Sequence, residues 1–387
     1  MSRICLLLLT LTASWLSQAA SIIPAAPQLA AKAYILMDAG TGEVLVEQAA
    51  DLQLPPASLT KLMTSYVLSV ELAAGRVSND DKVTVSTNAW SQNPVFAGSS
   101  LMWIEPGKEV TIEQLHWGIV VSSGNDATVA VAEHLAGSEM AFADMMNAHA
   151  EALGMRDTWY ANSHGLPHPG HLTTARDLAR LAQALVQDHP QTYPLFAERE
   201  YTYNGIRQYN RNSLMNEDPS VDGLKTGYTS EAGYGLVASA TRRGMRLVSV
   251  VLGTNSVNAR KSDTRGLLNY GFRFFESVNL HRAGEVMASP AVWKGGVDQV
   301  TVGLAEDIAL TVPRGSGAKL DTVIELQENI EAPIVVGDAL GTLKVILEGE
   351  VLKEVPLVAL EQVESGSWFK RLWHWLLMLL TSLFKVG

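Results

Sequence analysis

Ser58-Leu59-Thr60-Lys61 sets a hydroxyl and an amine three residues apart, and at the start of a helix that separation puts both on neighbouring surface positions. A serine hydroxyl is a poor nucleophile until a base takes its proton, and a lysine partly desolvated beside other cations has a pKa low enough to be that base. A helix start adds the positive end of the dipole. Taken alone, the pair reads equally well as an N-cap serine followed by a surface lysine. Ser123-Gly124-Asn125 reads as a tight turn in which the glycine lets the Ser and Asn side chains project the same way. Lys225-Thr226-Gly227 reads as part of a strand whose glycine admits a substrate backbone closely. Ser-Gly-Asn alone is a common turn, and Lys-Thr-Gly arises by chance in roughly one chain in ten of this length. The three in this order, each on the expected kind of element, point to one site of nucleophilic serine chemistry.

Those residues need elements to hold them. Residues 58–74 place Leu59, Leu62, Met63, Tyr66, Val67 and Val70 on one helical face, with Gly75 as the stop. Thr111 and Gln114 form a capping-box start to a second helix, which the Ser123 turn follows, and Thr174 to Asp177 start another in the same style. Residues 234–240 and 246–252, joined through Arg243-Gly244, read as an antiparallel hairpin, and residues 257–277 return to helical periodicity. Residues 27–281 are therefore expected to form one α+β unit, a sheet built from both of its ends around a helical insert. Residues 282–364 change to short β runs broken by Gly, Pro and Asp, which predicts a small all-β domain. Its six basic and fourteen acidic residues give it a net charge of −8, and nothing in it clusters as a catalytic site. A stand-off role, or docking of an unidentified protein partner, is the most it implies.

The two ends of the chain differ from the rest. Residues 1–20 read as a secretory signal: Arg3, an apolar run over 5–16, and a small-residue cleavage site at Ser17-Gln18-Ala19-Ala20. Residues 365–387 carry a net charge of +3, and 367–387 predict an amphipathic helix with a wide face of Trp, Leu and Phe. Lys370, Arg371, His374, Thr381, Ser382 and Lys385 form its narrow polar stripe. The most apolar stretch, 372–380, would cover about 14 Å against a hydrocarbon core of about 30 Å. Lying in the interface is favoured over spanning, and three tryptophans with three cations suit an anionic bilayer surface. The 387 residues carry a net charge of −11, which excludes nucleic acid as an expected partner, and the single cysteine, Cys5, excludes a disulfide framework or a cysteine-based zinc site. His164, His168 and His171 have ligand-like spacing, but Pro167, Pro169 and Gly170 break any helix that could align them, so no metal is expected.

Ser-x-x-Lys, Ser-x-Asn and Lys-Thr-Gly are the three motifs of penicillin-recognising serine acyltransferases and β-lactamases. The wider runs 56–61, 123–127, 222–227 and 268–272 resemble the low-molecular-mass penicillin-binding proteins that are serine-type D-alanyl-D-alanine carboxypeptidases. The similarity extends from about Pro27 to the C-terminus. It implies a DD-peptidase/β-lactamase-like domain (antiparallel sheet with helices), then an all-β sandwich and an amphipathic anchoring helix on the periplasmic face of the bacterial cytoplasmic membrane. It implies no cofactor, and as ligands peptidoglycan stem peptides and β-lactam antibiotics. It implies that Ser58 attacks the carbonyl between the two terminal D-alanines, that Lys61 is its base and that Ser123 relays a proton to the leaving amine. Asn125 would hold Lys61 and the substrate amide. Lys225 would supply positive potential, Thr226 would donate to the terminal carboxylate, Gly227 belongs to the same motif, and Arg260 would pair with that carboxylate, although Arg265 is near enough to compete. Backbone N–H groups of Ser58 and Tyr228 would form the oxyanion hole; Tyr228 departs from the His or Thr more usual there. A β-lactamase, a DD-endopeptidase and a non-catalytic peptidoglycan-binding envelope protein remain as alternatives.

Overall fold

The computed structural model describes residues 23–384; residues 1–22 and 385–387, with the expected export signal and Lys385, lie outside the described residues. The first unit is built on a five-stranded sheet in the order Val44–Gln48, Ala33–Asp38, Met245–Thr254, Gly233–Arg242, Val221–Thr229, every neighbour antiparallel. Strand Ala33–Asp38 is buried along its whole length because both faces of the sheet are covered. Ala33, Ile35 and Met37 face the helical insert together with Leu62, Phe142, Leu178 and Leu181. Tyr34 and Leu36 face the other way, onto Leu267, Leu268 and Phe272 of the helix Val257–Phe274. The period-two alternation of one strand thus feeds two cores.

The insert contains the helices Lys61–Ala73, Ile112–Trp117, Asn125–Ala136, Glu139–Ala152 and Ala175–Asp188. Their starts follow the local signals. Thr111 accepts from the N–H of Gln114 at 3.2 Å while the Gln114 side chain accepts from the N–H of Thr111 at 3.1 Å, and Thr174 accepts from Asp177 at 3.1 Å. Two expectations shift. The first helix does not begin at Ser58: Ala57–Thr60 form a tighter 3-10 turn and the α-helix starts at Lys61. The helix expected over 257–277 ends at Phe274, and Phe275–His281 becomes a strand paired with Ile308–Pro313. That pairing is a long-range interaction, which helical periodicity cannot reveal.

The second unit is a five-stranded sheet in the order Val286–Ala288, Val302–Leu304, Glu350–Ala359, Ala339–Leu347, Leu320–Leu326. Ile308 of the two-stranded piece shares a buried core with Val302, Leu304, Leu343, Val345 and Leu357 of that sheet, and Leu310 packs against it. The buried carboxylate of Asp38 joins the units: the Ser277 hydroxyl donates to it, as does the Thr311 hydroxyl at 2.7 Å. The last helix, Trp368–Phe384, leans on the second unit. Lys370 pairs with Asp298 at 2.7 Å, and His374 Nδ1 accepts from the N–H of Lys294 at 2.8 Å. Trp368, Phe369, Trp373 and Trp375 are exposed. No described helix is long and apolar enough to cross a membrane.

Gly303 is the tightest joint in the second sheet: a Cβ there would lie 2.2 Å from the carbonyl oxygen of Glu285. Gly303→Ala is expected to destabilise this unit by about 2–3 kcal/mol, read as a lower melting temperature; an unchanged thermal transition would contradict the packing described here.

Candidate active site

The 3-10 turn brings Ser58 to the floor of a cleft of about 570 Å³. Lys61, one turn on, is fully buried. Its Nζ lies 3.2 Å from Ser58 Oγ, 2.6 Å from Asn125 Oδ1 and 2.6 Å from the carbonyl oxygen of His164. Asn125 is held in this orientation because its Nδ2 donates to Ser99 Oγ at 2.8 Å. Burial, and then the nearby Arg211 guanidinium, bring the Lys61 pKa down from 10.5 to about 7, while Asp126 and Glu139 pull it the other way. A neutral amine has two N–H bonds and one lone pair. The two carbonyl oxygens take the two N–H bonds, which leaves the lone pair for the Ser58 hydroxyl.

Ser123 follows a widened helical turn, Gly118–Ser122, and is itself left-handed at φ 59°. Its hydroxyl is buried in the cleft wall without a hydrogen-bond partner among the described residues. Leaving such a group unpaired costs about 1–3 kcal/mol, which a substrate atom would recover. The sharp turn expected at Gly124 therefore belongs to Ser123. Gly124 is required for a close approach instead, since a Cβ on it would sit 2.9 Å from the Met102 backbone nitrogen. The loop pressed against it is fixed by Asp126, whose carboxylate accepts from the N–H groups of Met102 and Trp103 at 2.8 Å each and of Ile104 at 3.2 Å.

Strand Val221–Thr229 forms the next wall. Lys225 is buried, with Nζ 3.4 Å from the carbonyl oxygen of Thr226. Burial pushes its pKa well down, and Lys61, Arg211 and Arg260 push the same way. The close approach at Gly227 is made by the chain itself and not by a ligand: a Cβ would lie 2.9 Å from the Pro56 carbonyl oxygen, against the turn that carries Ser58. Thr226 and Tyr228 line the cleft, and the Tyr228 ring stacks on Tyr234 with centroids 4.2 Å apart. Arg260 reaches the same cleft from the helix Val257–Phe274, its guanidinium 5.8 Å from the Tyr234 ring. Burial brings its pKa down to about 10. Arg265 instead pairs with Glu217 on the surface and does not line the cleft.

Sequence reasoning missed four contributors: the His164 carbonyl, Ser99, Ser100 and Arg211, whose guanidinium donates to Ser100. Lys61, Lys225, Arg211 and Arg260 surround the cleft, and among the described residues no carboxylate lines it. A protein with a net charge of −11 has therefore concentrated positive potential at one place, as an anionic ligand requires. The imidazoles of His164 and His171 are engaged by their own chain: His164 Nδ1 accepts from the N–H of Leu166 at 3.0 Å, and His171 Nε2 lies 2.9 Å from Thr60 Oγ1. Among the described residues no three His, Cys, Asp or Glu side chains group as metal ligands.

A family model described as D-alanyl-D-alanine carboxypeptidase matches residues 20–256, and one for the C-terminal domain of penicillin-binding protein 5 matches residues 275–365. The D-alanyl-D-alanine carboxypeptidase DacA of Escherichia coli (strain K12) is 44% identical over 355 residues, 91% of this chain and 88% of that protein. DacC of the same strain is 43% identical, covering 91% and 89%. Penicillin-binding protein 5 from Haemophilus influenzae superposes with a TM-score of 0.85 at 37% identity, over 88% of this chain and 100% of that one. Penicillin-binding protein D2 from Listeria monocytogenes, solved in a cefotaxime-bound form, superposes at 0.58 with 31% identity, over 64% and 100%.

If Lys61 is the base, the rate of Ser58 acylation rises as pH passes through about 7 and then levels. Arg211→Gln removes a cation that holds the amine neutral, so its inflection moves to higher pH. A profile that is flat from about pH 5.5 to about pH 8.5 would exclude Lys61 from this role.

Proposed function

The chain belongs to the D-alanyl-D-alanine carboxypeptidase family and is a serine-type D-alanyl-D-alanine carboxypeptidase of the penicillin-binding class; from that premise we propose which of its residues carry the reaction. Ser58 Oγ attacks the carbonyl between the two terminal D-alanines of a peptidoglycan stem pentapeptide, and Lys61 takes the hydroxyl proton. The backbone N–H groups of Ser58 and Tyr228 stabilise the oxyanion. As the C–N bond breaks, Ser123 passes a proton to the leaving D-alanine amine. Water then attacks the acyl-enzyme and releases the shortened stem. Asn125 orients Lys61 and the substrate amide. Thr226 and Arg260 bind the terminal carboxylate, with Lys225 behind them and Gly227 keeping the strand against the nucleophile turn. The observation that carries this reading is the placement of the Lys61 amine, 2.6 Å from two carbonyl oxygens and 3.2 Å from Ser58 Oγ.

A β-lactam presents the same carbonyl and carboxylate, so it acylates Ser58 in the same way. A β-lactamase of the type that activates water with a glutamate needs a carboxylate at the acyl bond, and among the described residues none lines this cleft. That favours a persistent adduct over turnover.

We further propose that residues 1–20 export the chain, that 27–281 form the catalytic unit and 282–364 the β unit, and that 365–387 hold the protein on the periplasmic face of the cytoplasmic membrane. The exposed Trp368, Phe369, Trp373, Leu376, Leu379 and Leu380 support surface binding, and the 17-residue helix supports lying over spanning.

Ser58→Ala is expected to abolish both D-alanine release from the pentapeptide and covalent penicillin labelling, both read by mass spectrometry. Retention of either rejects the nucleophile. The wild-type penicilloyl adduct should persist for many minutes. Removing residues 367–387 should move the protein from floated anionic vesicles to the soluble fraction without altering D-alanine release; co-flotation of the truncated protein would reject the tail as the anchor.

A further inference from the structure

Outside the cleft, the helix Glu139–Ala152 and the loop that follows it border a second cavity, of about 730 Å³, lined by Asn147, Glu151, Arg156, Thr158 and Trp159 among others. Trp159 is 57% exposed. Its backbone is nonetheless fixed: its N–H donates to the Leu172 carbonyl at 2.9 Å, and its own carbonyl accepts from Leu172 at 3.2 Å. The next residue, Tyr160, is gripped on both its N–H and its carbonyl by the Asn147 side chain, each at 2.8 Å. Thr158 donates to Asp177 at 2.8 Å. An indole held out from a rigid backbone is a stacking platform whose ordering cost has already been met by folding. Beside it, the Glu151 and Arg156 side chains make no hydrogen bond or ion pair among the described residues. One acceptor, one donor fork and one flat apolar face suit a neutral ligand with apolar ring faces and peripheral hydroxyl and amide groups.

We infer that this cavity is a glycan subsite, and that Trp159 stacks on the N-acetylated amino-sugar strand that bears the stem peptide. Reach agrees with this. His164 lies five positions after Trp159, at most about 18 Å of chain, and the His164 carbonyl accepts directly from Lys61. The four stem residues between a sugar and the scissile carbonyl extend to about 14 Å. The stem and the Trp159–His164 stretch are thus of similar maximum reach.

The inference rests on the carboxypeptidase reading of the cleft, and its test separates the two. D-alanine release is measured for the full-length protein on a free stem pentapeptide and on the same pentapeptide carried by its disaccharide. Trp159→Ala should raise KM for the disaccharide-linked substrate by about tenfold with kcat unchanged, and leave both constants for the free peptide as they were. Trp159→Phe should restore most of the loss. An equal effect on both substrates, or none on either, overturns the subsite. Absence of release from both substrates by the wild-type protein would instead reject the catalytic reading. A peptide-free glycan strand should still quench fluorescence of the wild-type protein more than that of Trp159→Phe, and equal quenching also overturns the subsite.

Discussion

An amine taken wholly out of water is the feature around which the catalytic unit is arranged. Moving the Lys61 pKa from 10.5 to about 7 disfavours its charged form by about 5 kcal/mol, so near neutrality the charged and neutral forms have similar populations. Both must be satisfied by the same surroundings. Three oxygens accept from the ammonium, and two of them accept from the neutral amine while the third becomes its proton donor. These oxygens come from the nucleophile turn, from the start of helix Asn125–Ala136 and from the loop at His164. The amine is held in this way only when all three are docked, so in the proposed reaction the fold is a precondition of the chemistry and not merely its support. Gly227 and Gly124 serve the same docking, each omitting a side chain where two backbones meet.

The second consequence is electrostatic. Arg211 lowers the proton affinity of Lys61, Lys225 and Arg260, and Lys61 and Arg260 lower that of Lys225, while Asp126 and Glu139 offset only part of the effect on Lys61. Gathering like charges in this way lowers stability. An anionic group entering the cleft relieves the repulsion, so in the proposed reaction binding free energy is directed to the terminal carboxylate and not to the neutral middle of the peptide. The unpaired Ser123 hydroxyl follows the same logic at smaller scale.

The three motifs were legible because each is local: residues one to three apart on one turn or one strand declare their relationship in the sequence. So were the capping box at Thr111 and the hairpin through Arg243-Gly244. What could not be read depends on partners distant in the chain. A backbone carbonyl such as that of His164 has no residue signature. Arg211 sits in a polar run between Asn210 and Asn212 and becomes part of the cleft only through folding. The roles of Gly124 and Gly227 were read as a turn and a substrate contact because the backbones that crowd them, at Met102 and Pro56, are remote in sequence. Residues 275–277 continued a helical pattern, and it was pairing with Ile308–Pro313 that made them a strand.

The tail illustrates how two amphipathic surfaces can be matched to different neighbours. Its polar stripe meets the β unit through Lys370 to Asp298 and through His374 to the Lys294 backbone, with Trp293 edge-on to the imidazole. That contact uses the stripe's hydrogen-bonding capacity and turns the aromatic face outward. In the proposed anchoring, the β unit, with its net charge of −8 over 282–364, is repelled by an anionic headgroup surface while the helix below it is drawn in. The two forces together hold the acidic unit off the surface as a spacer. At the other end of that unit, Asp38 takes hydrogen bonds from Ser277 and Thr311, so the catalytic unit is joined through a buried carboxylate and a shared strand and not through a loose linker. In the proposed anchoring, this junction gives the β unit a structural place between the tail and the cleft.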